Sequence, residues 1–575
     1  MKISGSHQVV EALKKEKVDL IFGYPGGVVI PIFDVLYSEP DIKVVLTRHE
    51  QGAAHAADGY ARATGKVGVL LVTSGPGATN TITGLATANF DSIPLVCITG
   101  QVSRNMIGND AFQEADTVGI TRPVTKHNFL VTDRLQLGKT LKEAFFIART
   151  GRPGPVVVDI PKDIFLAEAE EDYPEEIVIR GYSPVYKGHK GQIRRAAQAI
   201  NQAKKPLFFV GGGVHISGAV DIFRNIVEKT NCPAVSSLMG IGVLAGEHPL
   251  SLGMIGMHGT YAANMAVSEC DLLLGIGVRF DDRATGELSK FAPHARIIHI
   301  DIDPTSISRN VPVEIPIVGD AKTILEEFLP LLRKTGSAEW LKMIDTWKSE
   351  HPVPRLPGEK HLSPYFVIEA IHREFPDAVI ASEVGQNQMW TALYYHFNGS
   401  RRWLTSGGLG TMGYGFPAAL GAQAGRPEAR VIDIAGDGSF QMNIQELATA
   451  VQERLPLIVA ILNNGFLGMV RQWQEIFQEG RYSSTCLLPG GKEGKAYSHE
   501  EYVPDFMKIA EAYGACGMRA RTVDEVTDVL VKAKTITDRP IVIDFHIEPE
   551  ANVWPMVPPG AGLKEMIFDW KEGKI

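Results

Sequence analysis

The sequence predicts an α/β protein built from three doubly wound parallel-sheet domains. Three observations carry that prediction. At 575 residues the chain is too long for a single hydrophobic core. Short, β-branched apolar runs ending in Gly, Asp or Asn recur along it, as strands buried on both faces do. Segments with apolar or small residues at helical spacing separate these runs, which gives the alternation of βαβ units.

In chain order, a first block (1–166) holds VDLIFGYPGG, IKVVLTRHE, VGVLLVTSGPG, IPLVCITG and PVVVDIPKD, with helical patterns such as QGAAHAADGYARATG between them. From Ala167 to Lys190 the chain turns acidic and then polar, so 167–190 is predicted to be a linker. A second block (191–345) holds PLFFVGGGVH, CPAVSSLMG, CDLLLGIGVRFDD, ARIIHIDID and IPIVGD. A break at 346–364, rich in proline (Pro352, Pro354, Pro357, Pro364), leads to a third block at 365–550. That block holds DAVIASEVGQ, RRWLTSGGLG, ARVIDIAGDGSF, PLIVAILNNG and RPIVIDFHIE, and residues 551–575 form a tail. The first and third blocks are candidates for structural cousins.

Composition narrows the function. A net charge of −9 argues against nucleic acid as the main partner. MKISGSHQVVEALKKEK lacks the apolar core of a signal peptide and reads as an amphipathic helix start. No apolar run of membrane-spanning length occurs, and a cytoplasmic protein with no membrane partner is expected. Cys97, Cys232, Cys270, Cys486 and Cys516 lack CxxC spacing, which makes a zinc site or disulfide framework a poor reading. The 58 glycines suit a protein with many close backbone approaches to cofactors.

The strongest chemical signal is Gly436-Asp437-Gly438, followed after 24 residues by Asn463-Asn464. VIDIA and PLIVAIL before the two motifs read as strands, and MNIQELATAVQ between them reads as a helix. A right-handed crossover puts both motifs at one sheet edge, where open α/β sheets bind ligands. Asp437 and the Asn464 amide then offer two hard oxygen ligands suited to Mg²⁺ carrying phosphate oxygens. Gly436 and Gly438 permit close phosphate approach, and Ser439 with the following helix N-terminus supplies donors. A plain turn and a cap would use the same residues singly, but the spacing and the two strands favour the cation site.

GDGSFQMNIQELATAVQERLPLIVAILNN resembles the thiamine-diphosphate fingerprint of the keto-acid decarboxylase and synthase superfamily. The resemblance implies that Asp437 and Asn464 hold Mg²⁺ on the cofactor diphosphate, with the main-chain carbonyl of Phe466 as a third ligand. RHEQGAAHAADGYAR resembles the superfamily's first-domain motif. It implies that Glu50 bonds the aminopyrimidine N1′ and governs the proton leaving thiazolium C2, with the protein positioning the cofactor's own chemistry. Standing alone, Glu50 and His49 would read as helix-dipole chemistry and core packing. In this superfamily the glutamate and the metal motif of one site come from different subunits, which implies a homodimer or homotetramer.

Over nearly its whole length the chain resembles the biosynthetic acetolactate synthases. QVSRNMIGNDAFQEAD carries Phe112 and Gln113, GRPGPVVVDIPKD carries Arg152 and Lys162, and GMIGMHGT carries Met257 and His258. GVRFDDRATG carries Arg279 and Arg283, and GFLGMVRQWQ carries Met469 and Trp473. By this resemblance Glu50, Phe112, Gln113, Lys162, Arg283 and Trp473 are the catalytic set. Arg283 and Trp473 would select the second keto acid, the guanidinium by its carboxylate and the indole by its alkyl tail. Alone, they would read as a surface ion pair and a packed aromatic. Gln386, Asn387, Gly410, Met412, Gly436, Gly438, Ser439 and Met469 fall to the thiamine cofactor, Met412 as its apolar prop. Gly408-x-Gly410-x-x-Gly413 also spells GxGxxG, but it does not open the first βαβ unit and an NAD reading is rejected.

The middle block resembles the FAD-binding domain of these enzymes, through Gly212, Gly213, Leu238, Gly277, Asp301 and Asp320, with Arg152, Met257, His258 and Arg279. Glycines at strand ends suit a pyrophosphate, and aspartates at later strand ends suit ribose or adenine. The implied domains are pyrimidine-binding, FAD-binding and diphosphate-binding, and in this family the flavin has no redox task in the main reaction. The implied reaction joins pyruvate to a second pyruvate or to 2-ketobutyrate, for branched-chain amino acid synthesis, with a small regulatory subunit as partner. The rival readings are an FAD-dependent pyruvate oxidase, a catabolic acetolactate synthase and a catalytically silent nucleotide-binding regulator. Two departures stand out: Ser103 replaces a frequent proline, and Asn387 a frequent histidine. The segment 488–502 is longer than usual.

Overall fold

The computed structural model describes residues 2–355, 358, 361–488 and 504–568. The long segment singled out at 488–502 therefore lies, but for Leu488, outside the described residues. Three six-stranded sheets form, each parallel throughout. In the first, the spatial order is Lys43–Leu46, Leu20–Tyr24, Gly68–Val72, Leu95–Gln101, Pro155–Pro161 and His127–Leu130. In the third, it is Trp403–Thr405, Val379–Ser382, Val431–Gly436, Ile458–Asn463, Ile541–His546 and Cys516–Ala520. Counted along the chain, both orders are 2-1-3-4-6-5, so the two blocks are structural cousins. The central sheet runs Ser251–Met254, Ala234–Ser236, Pro206–Val210, Leu272–Ile276, Arg296–Asp301 and Ile315–Val318. Its order, 3-2-1-4-5-6, is that of dinucleotide-binding domains.

The inner strands are apolar without alternation because helices cover both faces; Leu95–Gln101, Pro155–Pro161 and Ile541–His546 are buried along their whole length. The segment read as a linker is not wholly irregular. Glu168–Glu170 pairs antiparallel with Lys2–Ser4, and Arg134 braces the pair by donating to the carbonyls of Ala167 and Ile3. The predicted tail is also built into the fold. Val557, Leu563 and Met566 are buried in one cluster with Phe280 and Phe291 of the central domain.

Helices Glu50–Thr64 and Gly415–Gly425 join the outer domains face to face. Both are rich in Gly and Ala, so their backbones approach closely. A Cβ on Gly59 would lie 2.1 Å from the Ala418 carbonyl oxygen, and one on Gly421 would lie 1.8 Å from that of Ala56. A buried ionic cluster closes one end of the contact. Arg62 reaches Asp58 at 2.5 Å and Asp91 at 2.9 Å, and the Tyr414 hydroxyl donates to Asp58 at 2.7 Å. Asp91 in turn accepts the N–H groups of Gly407 and Gly408.

This contact gives a test whose sign opposes intrinsic propensity. Alanine in place of glycine would favour an isolated helix by about 1 kcal/mol. Gly421→Ala is instead expected to destabilise the protein by at least about 1–3 kcal/mol, because the added methyl has no room. Thermal and urea unfolding would read the shift, and an unchanged or raised midpoint would contradict the close approach.

Candidate active site

Strand Val431–Gly436 runs directly into the short helix Asp437–Phe440, and the Gly436 N–H donates to Ser439 Oγ at 3.1 Å to fix the turn. The neighbouring strand Ile458–Asn463 delivers Asn464 to the same sheet edge. There the Gly465 N–H donates to Asp437 Oδ2 at 3.1 Å and the Phe466 N–H to Asn464 Oδ1 at 3.0 Å. Asp437, Asn464, Phe466, Gly436, Gly438, Ser439, Gln386 and Asn387 line one small cavity of about 60 Å³. Gln386 accepts from Asn464 at 3.3 Å and donates to Gln472 and the Ala551 carbonyl, both at 2.9 Å. Asn387 is anchored by donating to the Glu383 and Ile434 carbonyls, which holds its amide in the loop.

The donor chemistry of this loop fits a magnesium–phosphate group. Among the described residues no cluster of three or more His, Cys, Asp or Glu is placed to hold a metal. One carboxylate, one amide oxygen and main-chain oxygens form a hard donor set that leaves positions for phosphate oxygens. The space depends on glycine, since a Cβ on Gly438 would lie 2.7 Å from the Leu467 side chain.

A larger cavity of about 600 Å³ opens beside it. Every residue expected at the flavin lines it: Arg152, Gly212, Gly213, Leu238, Met257, His258, Gly277, Arg279, Asp301 and Asp320. Gly213 and Gly277 touch back to back. A Cβ on either would lie within 2.7 Å of the other, and Gly277 has φ +58°. Such strand-end backbone packing lets a pyrophosphate come close to the chain, with the Gly213 and Gly277 N–H groups themselves donating to the Gly277 and Ile300 carbonyls. Arg152 is held by Ser92 at 2.8 Å and Asp303 at 3.3 Å. Asp320 caps the helix Ala321–Phe328 through the Thr323 N–H, and Asp301 accepts from the Asp303 N–H. His258 is buried, and its Nδ1 faces the Pro555 carbonyl at 3.2 Å. A carbonyl only accepts, so in the neutral ring Nδ1 carries the proton and Nε2 presents a lone pair. Among the described residues Nε2 has no hydrogen-bond partner, an orphaned acceptor in a cavity wall that a bound polar group would satisfy.

Arg283 and Trp473 meet in the same cavity. The guanidinium carbon lies 5.9 Å from the Trp473 ring centroid, and Nη1 is 3.7 Å from Met257 Sδ. Arg283 also makes the ion pair with Asp282 that a surface role would require, at 3.7 Å between two exposed groups. Exposed pairs of this kind contribute little, so the stacking on Trp473 is the more informative contact. Met412 and Met469 line both cavities, and Gly410 the larger one.

Four of the expected catalytic residues line neither cavity. Glu50 opens the helix Glu50–Thr64 and accepts from Asn80 Nδ2 at 2.9 Å. Gln113, with φ +59°, packs against Gly75 of the same turn cluster. Phe112 is 87% exposed, and Lys162, the first residue of a short helix, is also exposed. Within one chain these four residues thus lie outside both cavities.

Sequence reasoning missed several groups that the fold places here. Phe90 and Asp91 line the large cavity from the end of helix Ile82–Asp91, whose ANFDS carries no motif signal. Glu383 is fully buried and accepts from the N–H groups of Gly413 and Phe416, directly after Met412; burial pushes its carboxyl up to about 7. MNIQELATAVQ is not one helix, because Asn443 leaves helical geometry (φ −134°) to donate to the Gly413 carbonyl at 2.6 Å.

Comparison with known proteins agrees with this geometry. Residues 3–120 match the thiamine pyrophosphate enzyme N-terminal TPP binding domain, 193–328 the central domain and 383–545 the C-terminal TPP binding domain. The fold and site are those of a thiamine-pyrophosphate enzyme. The acetolactate synthase large subunit of Haemophilus influenzae is 49% identical over 99% of this chain and 98% of its own length. The acetolactate synthase isozyme 3 large subunit of Escherichia coli is 48% identical over 98% of each chain. The acetolactate synthase of Mycobacterium leprae is 47% identical over 100% of this chain and 93% of its own. The chain belongs to the acetolactate synthase large-subunit family.

His258 gives this cavity a pH signature. Burial lowers its pKa to about 4, well below the ordinary 6.5. The folded state therefore binds fewer protons than the unfolded chain between those values, and stability falls as pH drops through that window. The neutral substitution His258→Gln should lose less stability than the wild type between pH 6.5 and 4. Parallel losses, followed by thermal unfolding across the range, would show that the ring does not stay neutral.

Proposed function

We propose that the chain is the catalytic subunit of an acetolactate synthase that uses thiamine diphosphate, Mg²⁺ and FAD. The observation that carries this reading is the joining of the two cavities through Met412 and Met469. They bring a phosphate–cation loop, a dinucleotide cleft and the Arg283–Trp473 pair to one place. Asp437, Asn464 and the Phe466 main chain would hold the metal. Gly436, Gly438, Ser439, Gln386 and Asn387 would receive the diphosphate, with Gly410, Met412 and Met469 shaping the space for the rings. The residues lining the larger cavity from the central domain, with Arg152, would hold FAD. Domain limits at 1–166, 191–345 and 365–550, with linkers at 167–190 and 346–364 and a closing segment at 551–575, go with this division, except that helix Ala338–Glu350 runs across the 345/346 limit.

When bound, thiamine diphosphate supplies a carbon nucleophile and electron sink for the decarboxylation of a 2-keto acid. The protein's part is positioning and proton control. Glu50, its Oε2 fixed by Asn80, holds the proton-transfer role at the aminopyrimidine. Arg283 binds the carboxylate of the acceptor keto acid, and Trp473 contacts its alkyl end, which admits pyruvate or 2-ketobutyrate. Two pyruvates and one proton give one acetolactate and one CO₂, a step towards branched-chain amino acids. Because Glu50, Gln113, Phe112 and Lys162 stand apart from the phosphate loop, a second copy supplies them. The working unit is a homodimer or homotetramer, cytoplasmic, with a small regulatory subunit of the kind that "large subunit" in the relatives' names implies.

Purified protein given pyruvate and the three cofactors should consume two pyruvates per acetolactate, detected as acetoin after acid treatment. Oxygen uptake matching pyruvate loss would instead make it an oxidase. Glu50→Gln should lower turnover by about 10²–10⁴-fold, the range for losing a positioned acid–base group. Retained turnover would remove Glu50 from the mechanism. Trp473→Leu should narrow the discrimination between 2-ketobutyrate and pyruvate by about 10-fold, since one methylene is worth ~1–3 kcal/mol in an apolar pocket. Competition between the two acceptors measures it, and an unchanged product ratio would exclude the indole from acceptor choice.

A further inference from the structure

Glu446 is fully buried at the boundary between the outer domains, and no motif singles it out. Its carboxylate accepts from the Arg48 N–H at 3.0 and 3.1 Å, from the His49 N–H at 3.0 Å and from Thr449 Oγ1 at 2.8 Å. A carboxylate serving only the helix dipole would bond the first-turn N–H groups. Here the Gln51 N–H is taken by the His49 ring, and Glu446 instead holds the two residues before the helix. The rest of the segment grips the same turn. Thr449 Oγ1, whose proton goes to Glu446, lies 3.2 Å from the Leu46 carbonyl oxygen, and Arg48 bridges from the Leu46 carbonyl to Gln452. Gly52 makes room for the contact, since a Cβ there would lie 2.4 Å from Glu446 Oε1. The chain kinks at Asn443, three residues before Glu446.

We propose that Glu446 is a positioning residue for Glu50: it clamps the Arg48–His49 turn and so sets where the Glu50 carboxylate points. The proposal rests on the reading of Glu50 as the proton-handling group. Asn80 fixes the head of Glu50, and Glu446 fixes the backbone from which it springs. Burial pushes the Glu446 carboxyl up to about 7, which agrees with a group kept in place by its hydrogen bonds at the cost of solvation.

The test is the rate at which thiamine diphosphate bound to the holoenzyme exchanges its C2 proton for deuterium, followed by NMR. Cofactor affinity and thermal unfolding are measured alongside it. Glu446→Gln keeps the volume but turns an NH₂ towards backbone donors. It should slow exchange about 10- to 100-fold, as small misplacements of reacting groups do, with cofactor affinity near that of the wild type. Gly52→Ala, which displaces Glu446 without altering it, should slow exchange likewise. In a Glu446→Ala background, where the added methyl has space, Gly52→Ala should cause no further slowing. Exchange within twofold of wild type in both single variants, while Glu50→Gln loses it, would overturn the positioning role, as would independent, additive effects in the double variant. Wild-type exchange in Glu50→Gln would overturn the reading of Glu50 itself.

Discussion

The geometry of the whole molecule depends on one close contact, that of helix Glu50–Thr64 with helix Gly415–Gly425. Gly59 and Gly421 let backbone meet backbone, and the same constraint explains why both helices are poor in large side chains. Small residues give up apolar area, so the contact is secured at both ends by polar groups instead. Arg62 with Asp58, Asp91 and Tyr414 closes one end, and Glu446 under the Arg48–His49 turn closes the other. Buried charges are tolerable only when each is paired or hydrogen-bonded, and here the pairing does structural work at a distance. Asp91 carries the Gly407–Gly408 loop, which walls the large cavity, while Glu446 carries the approach to Glu50.

A second polar centre lies under the phosphate loop. Glu383, just past strand Val379–Ser382, and Asp433, on the adjacent strand, are both fully buried, and burial raises both carboxyls above the ordinary range. Asp433 has no hydrogen-bond partner on either oxygen, so the pair is most stable carrying a proton. Glu383 gathers backbone N–H groups from residues 413 and 416. It acts as an anionic anchor at the start of helix Gly415–Gly425 and holds the chain just after Met412. The switch point of the sheet thus receives its ligand-facing loop already braced from below.

What the sequence disclosed and what it hid follow from burial. All fifteen strands read from it are inner strands or apolar edges of the three large sheets; the three strands of those sheets that escaped, His127–Leu130, Ser251–Met254 and Cys516–Ala520, lie at sheet edges, and the short pair Lys2–Ser4 and Glu168–Glu170 escaped too. Edge strands are covered less fully, so their side chains mix polar with apolar and the continuous run disappears. That Asp437 and Asn464 share one cavity, and the glycines of the central domain another, was legible because the signal is local: glycines, an acid and an amide at fixed spacing after a strand. Glu446 and Asp91 act through contacts hundreds of residues away, Glu383 through contacts 30 and 33 residues away, and nothing in QEL, SEV or FDS marks them. The Asn443 kink was missed for the same reason, since its cause is a carbonyl thirty residues distant in sequence.

The closing segment shows that the domains are not separable modules. After the third sheet the chain returns to the central domain, where Val557 donates its N–H to the Met257 carbonyl at 2.7 Å. Pro555 supplies the carbonyl that fixes the His258 ring, and Gln386 and Gln472 tie the start of the segment to the phosphate loop. A single stretch of backbone therefore touches the wall of the larger cavity and the support of the smaller one together. Burial of Val557, Leu563 and Met566 against Phe280 and Phe291 keeps it there. Each such apolar side chain contributes about 1.5–3 kcal/mol when buried, more than a flexible tail would need to stay docked. The strap that crosses from one domain to the other, together with the direct contact of Trp403 with the Leu238 carbonyl, holds the two cavities side by side.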